Sequence, residues 1–336
     1  MDMKPKYSVI VPVYNRVDEV RDLLESLYAQ QQKDFEVILV EDGSTEPCGD
    51  VAREYADKGL DVKYFYKSND GRSIARNYGI ERAAGDYFIF FDSDCVIPPD
   101  YFVNLDRELR VQPLDCFGGP DAAHDSFSDT QKAINFAMTS FLTTGGIRGG
   151  KVQMEKFVPR SFNMGYSRKV WQTVGGFREM FSEDIDMSMR IREGGFSIGL
   201  IRPACVYHKR RIDMKKFWHQ VYVFGMSRIT LKLLYPHSLK LVHTLPALAV
   251  IIGVLLVALG IFVSPWFLLP IGLYLVALFV SACISTRSLK VALLAIPASV
   301  VQICGYGCGF INAYVTKILL GRGRDINQEI AMRKGR

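Results

Sequence analysis

From Leu241 to Thr316 the chain carries only two charged side chains, Arg287 and Lys290, in 76 residues. A soluble fold would have to bury that whole stretch, and a bilayer is the simplest place to hide it. Leu241–Val263 is long enough to span, and Trp266–Ile284 is a second, slightly shorter candidate. Only Ser264-Pro265 separates them, which predicts a tight hairpin. A third apolar stretch, Val291 to about Thr316, contains Pro297, Gln302 and three nearby glycines. Two topologies follow: three spans, or two spans and a re-entrant hairpin. Three spans is preferred, because a membrane helix tolerates a single Pro or Gly.

Charge is distributed to match. Residues 1–205 carry 25 basic and 32 acidic groups, a net of minus 7, whereas residues 206–240 carry 8 basic and 1 acidic, a net of plus 7. The positive excess is therefore a membrane-flank signal, and no nucleic-acid footprint is expected. The basic stretch before the first span and Arg287 with Lys290 after the second both point to the cytoplasmic side. Met1–Lys6 offers no apolar signal-peptide core, so the N-terminal part is expected in the cytoplasm beneath an inner or plasma membrane. Between the two regions, 212–235 mixes Phe217, Trp218, Tyr222 and Phe224 with Lys215, Lys216, Arg228 and Lys232, which suits helices in the headgroup plane. The expected organisation is a catalytic domain over 1–208, interfacial helices over 209–240, a transmembrane region over 241–320 and a basic tail over 321–336. Seven scattered cysteines form no zinc or redox pattern and read as buried free thiols.

The first hundred residues alternate strand and helix. Strands are expected at Tyr7–Val13, Phe35–Val40, Asp61–Tyr66 and Tyr87–Phe91, with helices at Asp18–Gln30, Val51–Lys58 and Ser73–Ala84. This rhythm predicts an α/β fold, a Rossmann-like, mostly parallel sheet covered by helices. Residues 118–150 show no sustained period and read as loop and helix near an acceptor. Ser182 is placed to cap a helix from Glu183 to about Arg192, and Ser197–His208 reads as a last strand.

Ligands of such sheets collect beyond the carboxyl ends of the strands, where Asn15, Asp42, Asp92 and Asp94 fall. Asp92 and Asp94, two apart after an apolar strand, can converge on one point. Two carboxylates there repel unless a cation intervenes, and a divalent ion holding a diphosphate is a natural one. Asp42 is either a turn former or an acceptor for a nucleobase or ribose. Arg72 and Arg76 at a helix start either face phosphate or are ordinary surface arginines. Glu183 and Asp184 stand in a first helical turn, where one of them can take a proton from an acceptor hydroxyl. Residue chemistry does not choose between the two, and Asp186 on the same turn can form a salt bridge instead. His208 reads as structural or as a metal or diphosphate contact.

Pro12-Val13-Tyr14-Asn15, Glu41-Asp42-Gly43-Ser44, Gly71–Gly79, Asp92-Ser93-Asp94, Gly175-Gly176-Phe177 and Glu183-Asp184-Ile185-Asp186 together resemble the family 2 inverting glycosyltransferases of GT-A fold, over roughly residues 6–210. The resemblance implies a sugar-nucleotide donor lined by Pro12, Tyr14, Asp42, Arg72, Arg76 and Asp92. It also implies Mg or Mn on Asp94 with Asp92, and Asp184 as catalytic base. His208 matches a histidine that in some relatives approaches the metal or phosphates. The QxxRW signature of processive members is missing after Gln220, which disfavours a processive polysaccharide synthase subunit. A catalytically inactive nucleotide-sugar-binding scaffold is the other alternative. Combined with the membrane region, the resemblance implies a multi-pass enzyme of polysaccharide biosynthesis acting on a polyprenyl-linked or other glycan acceptor, with an oligomer possible.

Overall fold

The computed structural model describes residues 5–122, 128–145, 157–208 and 213–322, and these divide into two compact units. The first comprises 5–122 and 157–208; the second comprises 128–145 and 213–322.

In the first unit β1 (Tyr7–Val13), α1 (Val17–Tyr28), β2 (Phe35–Asp42), α2 (Gly49–Asp57), β3 (Val62–Lys67), α3 (Arg72–Arg82) and β4 (Tyr87–Phe91) realise the expected alternation. Their strands lie parallel in the order β3-β2-β1-β4. The chain continues through β5 (Cys95–Val96), α4 (Tyr101–Val111), β6 (Cys116–Gly118) and β7 (Asp121–Ala122), then α5 (Asp129–Thr139) and α6 (Phe141–Thr144) of the second unit. It returns as β8 (Asn163–Ser167), α7 (Arg168–Val174), α8 (Glu183–Glu193), β9 (Ile198–Leu200) and β10 (Val206–His208). β8 enters the sheet antiparallel to β4 and β6, and β9 pairs parallel with β6. β5, β10 and β7 form a separate three-stranded sheet.

Strand periodicity explains the layering. Val9, Val11, Val37, Leu39, Ile89 and Phe91 pack on one face with Leu23, Leu24, Val51, Tyr55 and Leu105 of α1, α2 and α4. Ile10, Ile38, Val40, Phe88 and Phe90 pack on the other with Ala75, Ile80, Val170, Met187 and Ile191 of α3, α7 and α8. A sheet covered on both faces needs continuously apolar strands, which is why Tyr87–Phe91 reads as it does. Pro12 lies on an interior strand and still pairs with Val40 of β2, but it stands beyond the last β1–β4 pair, Ile10 with Phe90, so the strand has an open edge on its β4 side there.

One expected strand is two. Ser197–His208 breaks into β9 and β10, which join different sheets around a turn carrying Pro203, a residue with no N–H for a ladder.

In the second unit α9 (Met214–Leu234), α10 (Leu241–Phe262), α11 (Leu269–Thr286) and α12 (Leu289–Ala313) follow. Three segments, Leu241–Phe262, Pro265–Thr286 and Leu289–Leu319, are long and apolar enough to cross a membrane. The first two are only 11% buried and the third 44%, so α12 is the hub and α10 and α11 leave their apolar sides uncovered. α12 runs unbroken through Pro297, and no hairpin interrupts it. α9 packs against α12 so closely that a Cβ on Gly309 would stand 2.0 Å from the Tyr222 carbonyl oxygen, and one on Gly225 2.0 Å from that of Tyr306. Small residues permit such backbone approach between helices. Phe217, Val221 and Ile229 of α9, Ala298 and Phe310 of α12, and Ile134 and Ala137 of α5 share the resulting core. The basic residues expected at 209–211 and in the tail beyond Arg322 lie outside the described residues.

Candidate active site

β2 ends in two buried acids with separate tasks. Glu41 accepts the Ser44 hydroxyl, the Cys48 N–H at 2.8 Å and the Tyr64 hydroxyl at 3.3 Å, and so shapes the turn into α2. Asp42 accepts from the Lys67 ammonium at 2.6 Å and from the N–H groups of Asp70 and Gly71, each at 3.0 Å. It therefore organises the loop into α3 while standing at the strand end where a nucleobase was expected. Sheet register brings Lys67, which sequence reading missed, opposite Asp42. Burial alone would lower the Lys67 ammonium, but hydrogen bonds to Asp42 and Asp70 hold it above its usual range. Asn15, at φ 53°, accepts the Thr45 N–H at 2.9 Å, which ties the end of β1 to the same corner; Tyr14 beside it is half exposed.

The two arginines expected to face phosphate are spoken for by carboxylates. Arg76 is fully buried and donates to Glu183 Oε1 at 2.9 Å and to Asp92 Oδ1 at 2.8 Å. Arg72 donates to Glu183 Oε2 at 2.9 Å, and the Glu183 charge raises the Arg72 guanidinium further. Arg76 is thus a tie between the strand end that carries Asp92 and the helix that carries Glu183 and Asp184, and no face of it is open to a donor. Arg72 stays half exposed and can still reach a ligand. The start of α3 is also less open than its sequence suggests. Glu179 lies so close over Gly71, φ 104°, that a Cβ there would stand 2.8 Å from its carboxylate, and burial raises the Glu179 carboxyl.

Those contacts separate the acids of α8. Glu183, 2% exposed in its side chain, has each carboxylate oxygen taken by a guanidinium group, which leaves neither oxygen to face an acceptor. Asp186 is equally committed, to Arg178 at 3.1 Å and Arg190 at 3.0 Å, and Arg190 also binds the carbonyls of Val174 and Gly176. Asp184 accepts the Ile185 N–H through Oδ1 at 2.8 Å, while among the described residues its Oδ2 meets only Arg160, at 3.4 Å. Arg160 is a second residue missed in the sequence. Ser182 occupies the cap position in a left-handed conformation, φ 63°, and its side chain does not cap the helix as expected.

Asp94 immediately precedes β5, whose register sets Cys95 against His208 of β10, so the backbone brings His208 beside Asp94. The His208 side chain lies outside the described residues. Among the described residues no group of three or more metal-binding side chains occurs. Two carboxylates, one already sharing an oxygen with Arg76, are not a closed cage. They fit a Mg or Mn ion completed by substrate phosphates, the usual mode for such hard cations.

The chain is similar to known glycosyltransferases. The sequence pattern described as "Glycosyl transferase family 2" matches residues 8–175. YibD of Escherichia coli K12, an uncharacterized glycosyltransferase, is 32% identical over 174 residues, 52% of this chain and 48% of its own length. The glycosyltransferase GlyA of Streptococcus pneumoniae is 38% identical over 131 residues, 39% of this chain and 18% of its own length. The chain thus spans about half the length, or less, of these relatives. Among solved structures, the mannosyltransferase PcManGT of Pyrobaculum calidifontis, in complex with GDP-Man and Mn2+, aligns with a TM-score of 0.56 at 17% identity, over 95% of this chain and 88% of that one.

Proposed function

The chain belongs to glycosyltransferase family 2, and from that premise we propose a membrane-anchored, inverting transferase that moves a sugar from a nucleotide-sugar donor to a lipid-linked glycan acceptor. One observation carries the mechanistic part. Of the three acids in the first turn of α8, Glu183 and Asp186 have both oxygens taken by arginines, and Asp184 alone keeps an oxygen that, among the described residues, is held by nothing tighter than a 3.4 Å contact.

In this reading Pro12, Tyr14 and Asp42 line the base and ribose, and Arg72 and Asp92 line the sugar diphosphate. Asp94, with Asp92 and His208, holds a Mg or Mn ion. Such an ion, when bound, supplies charge neutralisation at the diphosphate. The Mn2+ and GDP-Man of the solved neighbour support a divalent ion and a nucleotide-sugar donor here. Asp184 takes the proton of the acceptor hydroxyl, whose oxygen bonds to the anomeric carbon from the face opposite the departing group. The bond from that carbon to the diphosphate oxygen breaks, and its electron pair leaves with the nucleoside diphosphate. One displacement inverts the centre, and no enzyme nucleophile is needed.

The uncovered sides of α10 and α11 support a multi-pass anchor in the inner or plasma membrane, and the basic flanks support a cytoplasmic catalytic unit. Membrane attachment favours a polyprenyl-linked acceptor, because donor and acceptor then meet without a long search. The working assignment is catalysis in 1–208, a surface segment at 209–240, a membrane region at 241–320 and a tail at 321–336. Its pathway class is assembly of extracellular polysaccharide.

The test is release of nucleoside diphosphate from a panel of UDP-, GDP- and dTDP-sugars by the full chain in lipid, followed by the anomeric configuration of the product by NMR. Release from one donor with inversion is expected. Binding without release from any donor, with or without membrane lipid extract, would favour an inactive scaffold.

A further inference from the structure

Arg160 is unlike the other arginines around the site. Arg76, Arg72 and Arg190 each hold carboxylates or carbonyls at 2.7–3.0 Å. The guanidinium of Arg160 makes, among the described residues, one hydrogen bond, to Asp184 Oδ2 at 3.4 Å. A committed bond between two charged groups is shorter, about 2.7–2.9 Å, so this pair is loose. Its side chain is 23% exposed and that of Asp184 13%, so the contact is partly open to solvent and to a ligand.

The backbone beneath Arg160 is fixed, which leaves the side chain as the part free to move. Its carbonyl accepts the Asn163 N–H at 2.9 Å. Asn163 is fully buried, accepts the Tyr101 hydroxyl at 2.7 Å and donates to the Ala204 carbonyl at 2.9 Å. The neighbouring Ser161 hydroxyl faces Glu183 Oε1 of α8 at 3.4 Å. A rigid turn therefore delivers a guanidinium with unused donors to the carboxylate that has to accept a proton.

Left where it is, that guanidinium competes with an acceptor hydroxyl for the Asp184 oxygen. The fork of N–H donors matches a phosphate in bidentate fashion, a stronger partner than the present one. We propose that Arg160 is an acceptor-phosphate site that also covers the base: it rests on Asp184 while no acceptor is present, and a phosphate on the incoming acceptor draws it off and frees Oδ2. The proposal rests on the transferase reading above. It explains how a partly exposed base avoids activating water and wasting donor, because the same anion that identifies the acceptor uncovers the base.

The experiment uses the full chain in nanodiscs, with farnesyl phosphate, farnesol and inorganic phosphate as probes. Two quantities are read: the Kd of each probe, and acceptor-free release of nucleoside diphosphate from the nucleotide sugar the panel identifies. The wild type is expected to bind farnesyl phosphate at least about 10-fold tighter than farnesol, the order expected of hydrogen bonds to a charged group. Arg160→Gln should abolish that preference, leave the farnesol Kd unchanged and raise acceptor-free release several-fold. Arg160→Lys should restore part of the preference. Inorganic phosphate competing as well as farnesyl phosphate would support the phosphate site and assign it to soluble phosphate compounds; weaker competition would assign it to a lipid headgroup. An unchanged ratio of farnesyl phosphate to farnesol affinity in a glutamine variant that still binds nucleotide would overturn the proposal. A panel with no release from any donor would instead sink the transferase reading, and the probe affinities would still judge the phosphate site on their own.

Discussion

Replacing Arg76 by Met removes the group on which both ends of the proposed site depend. The guanidinium is fully buried and bonds at 2.9 Å to Glu183, whose side chain is 2% exposed, and at 2.8 Å to Asp92, whose side chain is 33% exposed. Asp92 can turn to water, so little of its cost survives. Glu183 cannot, and Arg72, itself 55% exposed, becomes its only guanidinium among the described residues. Removing one partner of a buried pair costs about 3–5 kcal/mol, mostly through the charge left behind. At about 2–4 °C per kcal/mol for a unit of this size, the melting temperature should fall by roughly 6–20 °C. Melting followed by near-ultraviolet circular dichroism in detergent measures it. A cycle with Glu183→Gln isolates the pair, because once the carboxylate is neutral the Met substitution should cost at least about 2 kcal/mol less. Additive losses, or a single variant melting within two degrees of the wild type, would refute the claim that a buried ion tie joins β4 to α8.

Three further outcomes follow from other parts of the structure. Asp94→Ala should remove the dependence of donor binding on Mg or Mn, read by calorimetry with and without chelator, while metal-free affinity changes little. Gly309→Leu should force α9 from α12, since a Cβ there would meet the Tyr222 carbonyl oxygen at 2.0 Å. Overpacking of this kind costs about 1–3 kcal/mol or more, visible as a lower melting temperature with unchanged donor affinity. The Glu36 carboxyl is held below its usual 4.5 although burial opposes this, because Lys63, Ser8 and the Ala84 N–H favour the ion. Its contribution to stability is therefore complete above pH about 4.5 and is lost as pH falls from there through the depressed folded value. Melting curves of wild type and Glu36→Gln should differ most near neutral pH and converge in acid.

Much of the first unit was legible because its signals are local. Val20, Leu23, Leu24 and Leu27 stand at helical spacing and are all fully buried, and the strand alternation assigns Val9 and Ile10 to opposite cores. Acids following apolar strands were correctly placed at strand ends, since a parallel sheet delivers its carboxyl ends to one edge. One helix went unread although its pattern is plain, α4, which buries Tyr101, Phe102, Leu105 and Leu109 at helical spacing; within 118–150, read as loop and helix without bounds, the Ser128–Gln131 capping box marks where α5 opens. The resemblance pointed to Asp184, but residue chemistry alone did not separate it from Glu183, because the contacts that separate them come from Arg72 and Arg76, over a hundred residues earlier in the chain. Lys67 and Arg160 were hidden for the same reason, one behind sheet register and the other behind a turn pinned by Asn163.

The most direct test of the account is the rate of sugar transfer by Asp184→Asn at saturating donor, in the full chain with its membrane region and a lipid-linked acceptor. Loss of a general base should slow transfer by about 10²–10⁴-fold, with donor affinity preserved because Asp42 and Asp94 are untouched. Transfer within a few-fold of the wild-type rate would contradict the assignment of Asp184 as the group that takes the acceptor's proton.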